Sequence, residues 1–437
     1  MGFWEQWNFK ADPFDTLPLD YSQEGSDLLI GRDKEIKELI DRLQMSTRAI
    51  TIEGPVGVGK TSLINVALFR CYRAFFSEQL PPFFLPCRRS FQLTPNHDPA
   101  AFEADVLMAV AQTLLEEQAR TDSPKIRGSS DLDQWLNHPQ NTQMRWSLKA
   151  GPFGVEFGKG TVNNTSGFAR SGLREMVREW LGMRFPSPKD GAVVCVVDNL
   201  ELLQTSRNAV LVLEEIRDTL LTLPGLRWVL CGSRGIVRSI ASTSRLERCL
   251  HQPIVLTGIS DVWAQQILSS RVDVFAKSLY GYYLPINGAD FAHLFRLFNA
   301  NPSYTLKYVG EYCLFAAQTH PFSIEEKSRA YTDWLRLEAT KSMTDIARVS
   351  NRSWGLLEKV ISANTEFAAA DHAHLGYATA DLLRADVKPL TESSLLEWSV
   401  DETDKRRKIF AITPKALLVN FARRGIPRIE PTLGDED

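Results

Sequence analysis

The chain has 437 residues, room for roughly three domains. Its 44% apolar and 24% charged content is that of an ordinary globular protein, which excludes a disordered or fibrous chain, and no apolar run approaches membrane-spanning length. A formal net charge of −3 supplies no global attraction to nucleic acid, so any such binding must come from a local patch.

Residues 1–28, rich in Trp, Phe and Pro, read as an extended arm. They carry no basic stretch followed by an apolar core, and the six cysteines include no CxxC pair, so we expect reduced thiols in a cytoplasmic chain. Ile36, Leu39, Ile40 and Leu43 then recur at helical spacing. An apolar run, Ala49–Ile52, leads into Gly54-Pro55-Val56-Gly57-Val58-Gly59-Lys60-Thr61-Ser62 and an amphipathic run from Leu63 to Leu68. That is a strand, a glycine-rich turn and a helix. Phe83–Phe91 reads as a second strand and Phe102–Gln118 as a helix. From 120 to 170, Ser, Gly, Asn and Pro accumulate and periodicity lapses; Trp146–Thr161 alternates weakly, as a protruding hairpin with mobile flanks would. This insertion is a candidate surface for a protein partner.

After a helix near 170–184, Ala192–Val197 is a continuous apolar run closed by Asp198, the pattern of a buried parallel strand with a functional residue at its carboxyl end. A helix over 208–222, a strand at Trp228–Cys231 followed by Gly232-Ser233-Arg234, and a strand at Ile254–Leu256 complete a five-stranded parallel α/β core over 29–257. Helices dominate 258–340, as in a small lid with a linker helix. Over 346–425, helices, a hairpin with a basic tip and a closing helix describe a winged helix-turn-helix; an acidic tail, 426–437, follows.

The G-x-x-x-x-G-K-[ST] spacing is that of a phosphate-binding P-loop. Its glycines let the backbone curl so that successive N–H groups face phosphate oxygens, and the new helix adds its positive end. Lys60 can reach the β- and γ-phosphates, while the Thr61 hydroxyl and Asp198 can hold Mg²⁺. These residues imply that the chain binds a nucleoside triphosphate. The competing reading of Asp198 is a helix N-cap. Asn199, next in line, cannot accept a proton, and Glu201 stands two positions further on, so hydrolysis is expected to be slow or to use a substitute base.

These residues together resemble an AAA+ ATPase of the origin-recognition and archaeal-initiator branch, with a pattern that overlaps the STAND signalling ATPases. Gly31-Arg32-Asp33-Lys34-Glu35 matches the G-R-x-x-E stretch placed near adenine, and the P-loop and Asp198 match Walker A and Walker B. The resemblance implies a sensor role for Ser233 after the fourth strand and an arginine finger in trans for Arg245 in Ser244-Arg245-Leu246, hence a homo- or hetero-oligomer. A surface arginine is the competing reading of Arg245, and Arg234 is the competing phosphate-facing arginine. Gln266–Arg271 resembles the I-L-x-x-R start of the lid, and Asn301-Pro302 sits where a lid helix closes over the nucleotide. Two departures stand out: Asn199 replaces the usual Glu, and Ser303 occupies the place of the second sensor arginine. Both remove transition-state stabilisation and leave ATP binding intact.

The C-terminal stretch holds 12 basic and 10 acidic residues over 346–425, a net +2 that is weak for a duplex reader. Its charge is concentrated at Lys405-Arg406-Arg407-Lys408 on the expected wing, where it could follow double-stranded DNA; a solvated turn on a protein-binding winged helix is the alternative. The expected function is thus an ATP- and Mg²⁺-dependent switch that assembles on DNA or on a protein, either as an initiator or loader, as a signalling or defence ATPase, or as an adaptor without turnover.

Overall fold

The computed structural model describes residues 2–78, 81–93, 98–121, 166–200, 206–232, 236–241, 243–278, 281–344, 346, 349–363, 366–400 and 408–424. The weakly alternating stretch at 146–161 and the 426–437 tail lie outside the described residues.

Residues 1–28 are not an extended arm. They hold two short helices, α1 (Phe3–Gln6) and α2 (Gln23–Leu28), and bury Trp7, Phe9 and Phe14 in one apolar cluster with the helices that follow the sheet. Burying each such ring contributes on the order of 2–3 kcal/mol, which is why a Trp- and Phe-rich segment docks rather than trails. Lys10 N–H donates to the Phe275 carbonyl at 2.7 Å, and Phe9 bridges Ala276.

The core is a five-stranded sheet built from β1 (Ile50–Glu53), β2 (Phe83–Pro86), β3 (Gly191–Val197), β4 (Leu226–Gly232) and β5 (Ile254–Val255). Its order is β2-β3-β4-β1-β5 and every pair is parallel. Sequence periodicity located the strands but not this order, in which β4 separates the P-loop strand from the Asp198 strand. The second strand stops at Pro86 instead of running to Phe91; the chain leaves the edge and returns as a single bridge between Phe91 and Val197. One face is covered by α3 (Asp33–Met45) and α4 (Lys60–Glu78), whose Leu39, Leu43, Leu63 and Val66 pack on Ile50, Ile52 and Val229. The other face is covered by α5 (Pro99–Thr121), α6 (Ser166–Arg184), α7 (Ser206–Ile216) and α8 (Ile236–Ala241), with Val110, Trp180 and Leu213 against Val193, Cys195 and Leu230. Two layers of helices explain why the strands are apolar on both faces rather than alternating.

Beyond β5, α9 (Ala264–Phe275), α10 (Gly288–Leu297), α11 (Pro302–Ala316) and α12 (Ile324–Thr344) share the cluster that takes in the arm. The last stretch runs α13 (Asn351–Ala363), β6 (Phe367–Ala368), α14 (Ala380–Glu392), β7 (Leu396–Val400), β8 (Lys408–Ile412) and α15 (Pro414–Arg424), and its sheet is antiparallel in the order β6-β8-β7. α14 continues through Pro389. From α15, Leu417, Leu418 and Phe421 pack into the lid cluster, while Ala416 and Val419 pack into the cluster of their own module. Among the described residues no helix is long and apolar enough to cross a membrane.

Candidate nucleotide-binding site

The parallel register brings the carboxyl ends of β1, β3 and β4 to one edge, where a doubly covered sheet offers its crevice. The turn after β1 curls there. Gly57 and Gly59 adopt φ of 78° and 95°, the left-handed region that a side chain resists. Lys60 is 8% exposed and turns its ammonium back on the loop, donating to the Gly54 carbonyl at 2.9 Å and the Pro55 carbonyl at 3.2 Å. A buried cation held by two carbonyls suits an incoming phosphate. The Thr61 hydroxyl donates to Asp198 Oδ2 at 2.7 Å, so a hydroxyl and a carboxylate converge at the head of α4. Such hard oxygen donors fit Mg²⁺.

Asp198 is further fixed by its neighbours. Its N–H donates to the Phe91 carbonyl at 2.9 Å, and its Oδ1 accepts from the Asn199 N–H at 2.9 Å. Asn199 adopts a φ of 57°, which asparagine tolerates better than most residues, and it lines the cleft with Asp198, Thr61 and Ser62. Glu201 and Ser233, the other candidates at this edge, lie outside the described residues.

Arg32 is placed differently from a nucleotide-facing arginine. It is 3% exposed, donates to the carbonyls of Val58 (3.2 Å) and Thr257, and pairs with Glu35 at 3.0 Å. It therefore fastens the opening helix to the P-loop and to the start of the lid. Burial pulls its pKa down and Glu35 opposes this. Gly31 adopts a φ of 74°, and a Cβ there would come within 2.8 Å of both Ile259 Cγ2 and Trp263 Cδ1.

The lid meets the loop directly. Asn301 caps α11 by accepting from the Tyr304 N–H, and its Nδ2 donates to the Val56 carbonyl at 3.0 Å. Ser303 N–H lies 3.4 Å from the Gly57 carbonyl, and Pro302 and Ser303 line the cleft. The arm closes another side. Leu19 N–H donates to Ser62 Oγ at 3.1 Å and its carbonyl accepts from Asn65 at 2.8 Å. Arg271, also lining the cleft, donates to the Pro13 carbonyl at 2.7 Å and reaches the Asp15 carbonyl at 3.3 Å. Burial pushes its pKa down to about 10, against the pull of Asp15 and Asp12, so it stays charged at neutral pH. Pro18, Leu28, Ile30, Ile259, Ile267 and Leu306 supply apolar walls suited to a flat base. Sequence reasoning missed the arm's part in this site. The aromatic content of the arm was the available signal.

Arg245 lies away from this cleft, with its side chain 73% exposed and Nη1 3.1 Å from Glu214 Oε2. On the C-terminal module, Lys408 sits 3.6 Å over the Trp398 ring, while Lys405, Arg406 and Arg407 fall outside the described residues.

A parallel sheet of this order with a P-loop at its edge, a converging Thr61–Asp198 pair and a helical lid defines a P-loop NTPase of the STAND type. The chain belongs to the novel STAND NTPase 1 family, which it matches over residues 13–268, more than half of its length. No curated protein matches it. Among solved structures it is similar to the Aeropyrum pernix ORC1 protein in complex with DNA (14% identity, 94% of this chain and 95% of that one, TM-score 0.43). It is also similar to the A. pernix ORC2 protein in its ADPNP–ADP complexes (12% identity, 95% and 98% covered, TM-score 0.44) and to Cdc6p of Pyrobaculum aerophilum (11% identity, 95% and 99% covered, TM-score 0.41).

Proposed function

We propose that the chain is an ATP-operated switch in which P-loop occupancy sets the position of the lid, and with it that of the C-terminal module. The observation that carries this reading is the double attachment of the lid. The first turn of α11 grips the P-loop through Asn301 and Ser303, while α15 is packed on the same lid cluster through Leu417, Leu418 and Phe421. A change at Gly57 is thus relayed through packed helices rather than through a loop. The amides of Gly57, Gly59 and Lys60 would hold the phosphates, and the Lys60 ammonium would leave its two carbonyls for them. Thr61 and Asp198 would hold Mg²⁺, which neutralises charge on the β- and γ-phosphates when bound.

Turnover is expected to be slow. Asn199 has no basic oxygen, and Ser303 brings no cation to the γ-phosphate. Arg245, exposed and paired with the part-buried Glu214, would enter a neighbour's site, so a homo- or hetero-oligomer would complete the catalytic charge.

The order of α13, β6, α14, β7 and β8 fits a winged helix, and its charge favours a protein partner. The exposed face of α14, which a duplex reader would lay in a groove, holds its cations in internal pairs: Arg384 with Asp381 at 2.6 Å and Lys388 with Glu392 at 3.8 Å. A helix so neutralised offers few counterion-releasing contacts. The second reading, assembly on double-stranded DNA, rests on Lys408 and Arg423, which lie over Trp398 and Trp354. Lys60→Ala should abolish binding of a labelled ATP analogue with Mg²⁺; retention of wild-type affinity refutes the nucleotide reading. Reversing charge at Lys405, Arg406 and Arg407 should change nothing if the module binds protein, whereas loss of a salt-sensitive duplex complex would establish the DNA reading.

A further inference from the structure

We propose that Cys87 and Cys195 form a reversible oxidation site, in which a hydroperoxide converts the two thiols into a disulfide that ties the segment after β2 to the strand ending in Asp198. In the parallel register Pro86 stands opposite Val194, and Cys87 N–H donates to the Val194 carbonyl at 2.8 Å, so Cys87 stands opposite Cys195. Neighbouring strands run about 4.8 Å apart, within the Cα separation a disulfide spans. Both side chains lie on the same face of the sheet, Cys195 fully buried in its apolar cluster and Cys87 half-buried against it. Each thiol shifts the acidity of the other, as adjoining side chains do.

Their environments divide the chemistry between them. Cys195 first, against the opposing pull of burial, and then the Arg89 N–H, the Thr113 hydroxyl and the Arg89 charge hold the Cys87 thiol below the ordinary thiol range. Burial pushes Cys195 up. Cys71, by contrast, is pushed up to about 12 by burial, and fully buried Cys313 is raised as well. Cys87 is therefore the attacking thiolate. It bonds to one peroxide oxygen, the O–O bond breaks, and the other oxygen leaves as hydroxide and takes a proton to become water. Cys195 sulfur then attacks Cys87 Sγ; the S–O bond breaks and the second hydroxide leaves as water with the Cys195 proton. The two sulfurs lose two electrons in all, and the peroxide gains them.

The position of the pair gives the modification a consequence. Beyond Cys87, Phe91 N–H donates to the Val196 carbonyl at 2.8 Å and the Phe91 carbonyl accepts from Asp198 N–H at 2.9 Å. The segment that would be cross-linked is the rail that holds Asp198.

The test uses the full chain without nucleotide. Treated with stoichiometric hydrogen peroxide, it should fall from six free thiols to four, show one Cys87–Cys195 peptide link by mass spectrometry, and recover all six with dithiothreitol. Cys87→Ser should keep its remaining five thiols under the same treatment. In Cys195→Ser, Cys87 should stop at a sulfenic acid that dimedone traps. Six thiols surviving in the wild type, a link between other cysteines, or Cys87 passing to sulfinic acid with Cys195 free would overturn the proposal.

Discussion

Asn301 offers the sharpest test of the lid grip, because one side chain does two separable jobs. Its Oδ1 caps α11 and its Nδ2 holds the Val56 carbonyl at 3.0 Å. The approach is so close that a Cβ on Gly57 would meet Ser303 Cβ at 2.8 Å and Asn301 Oδ1 at 3.0 Å. Asn301→Ser keeps a good cap but is too short to reach Val56. A neutral hydrogen bond is worth about 1 kcal/mol net, so nucleotide affinity should fall about fivefold while thermal stability hardly moves. Asn301→Ala loses the cap as well, about another 1 kcal/mol of stability, so the fivefold loss of affinity should come with a melting temperature lower by about 1–2 °C. Titration with a fluorescent, non-hydrolysable ATP analogue and a thermal melt of each variant give both readouts. If Asn301→Ser binds nucleotide as tightly as the wild type, or more tightly, the closed lid is not the binding state and the relay fails.

Gly31→Ala places a side chain at a φ of 74° and within 2.8 Å of Ile259 and Trp263, so a destabilisation of about 2–4 kcal/mol should appear as a lower urea midpoint; an unchanged midpoint would show that the lid linker yields freely. His293 lies between the lid and α15, its Nδ1 2.7 Å from the Tyr331 hydroxyl and its ring beside Phe421. Burial, then Arg296, holds its pKa below the ordinary 6.5, so the unfolded chain takes up that proton first and stability declines as pH falls below that value. His251 shifts in the same direction. Melting curves between about pH 7.5 and 5.5 should show a shallower decline for His293→Gln than for the wild type; equal slopes refute the assignment.

Much of the core was legible in the sequence because its signals are local. The P-loop needs particular residues at consecutive positions, since the curl of Gly57 and Gly59 and the reach of Lys60 depend on a few adjacent dihedrals. The run into Asp198 is apolar throughout because its strand is covered on both faces, and the strand itself is found at Gly191–Val197. The hairpin at Leu396–Val400 and Lys408–Ile412 was equally visible from its two short runs.

Other features depended on which distant segments met. The strand order follows from how the crossovers pack, and no run of residues encodes it. Asn301 and Val56 are 245 positions apart, and Arg271 and Pro13 are 258 apart. Their pairing arises from shape and from the need of each buried polar group for a partner. For the same reason Arg32, a nucleotide contact by motif, became a clamp once Val58 and Thr257 turned their carbonyls toward it, and the aromatic arm became a wall of the site once the lid offered it an apolar bed. Local chemistry decided that a polyphosphate can be held; tertiary packing decided which distant segments line the cleft around it.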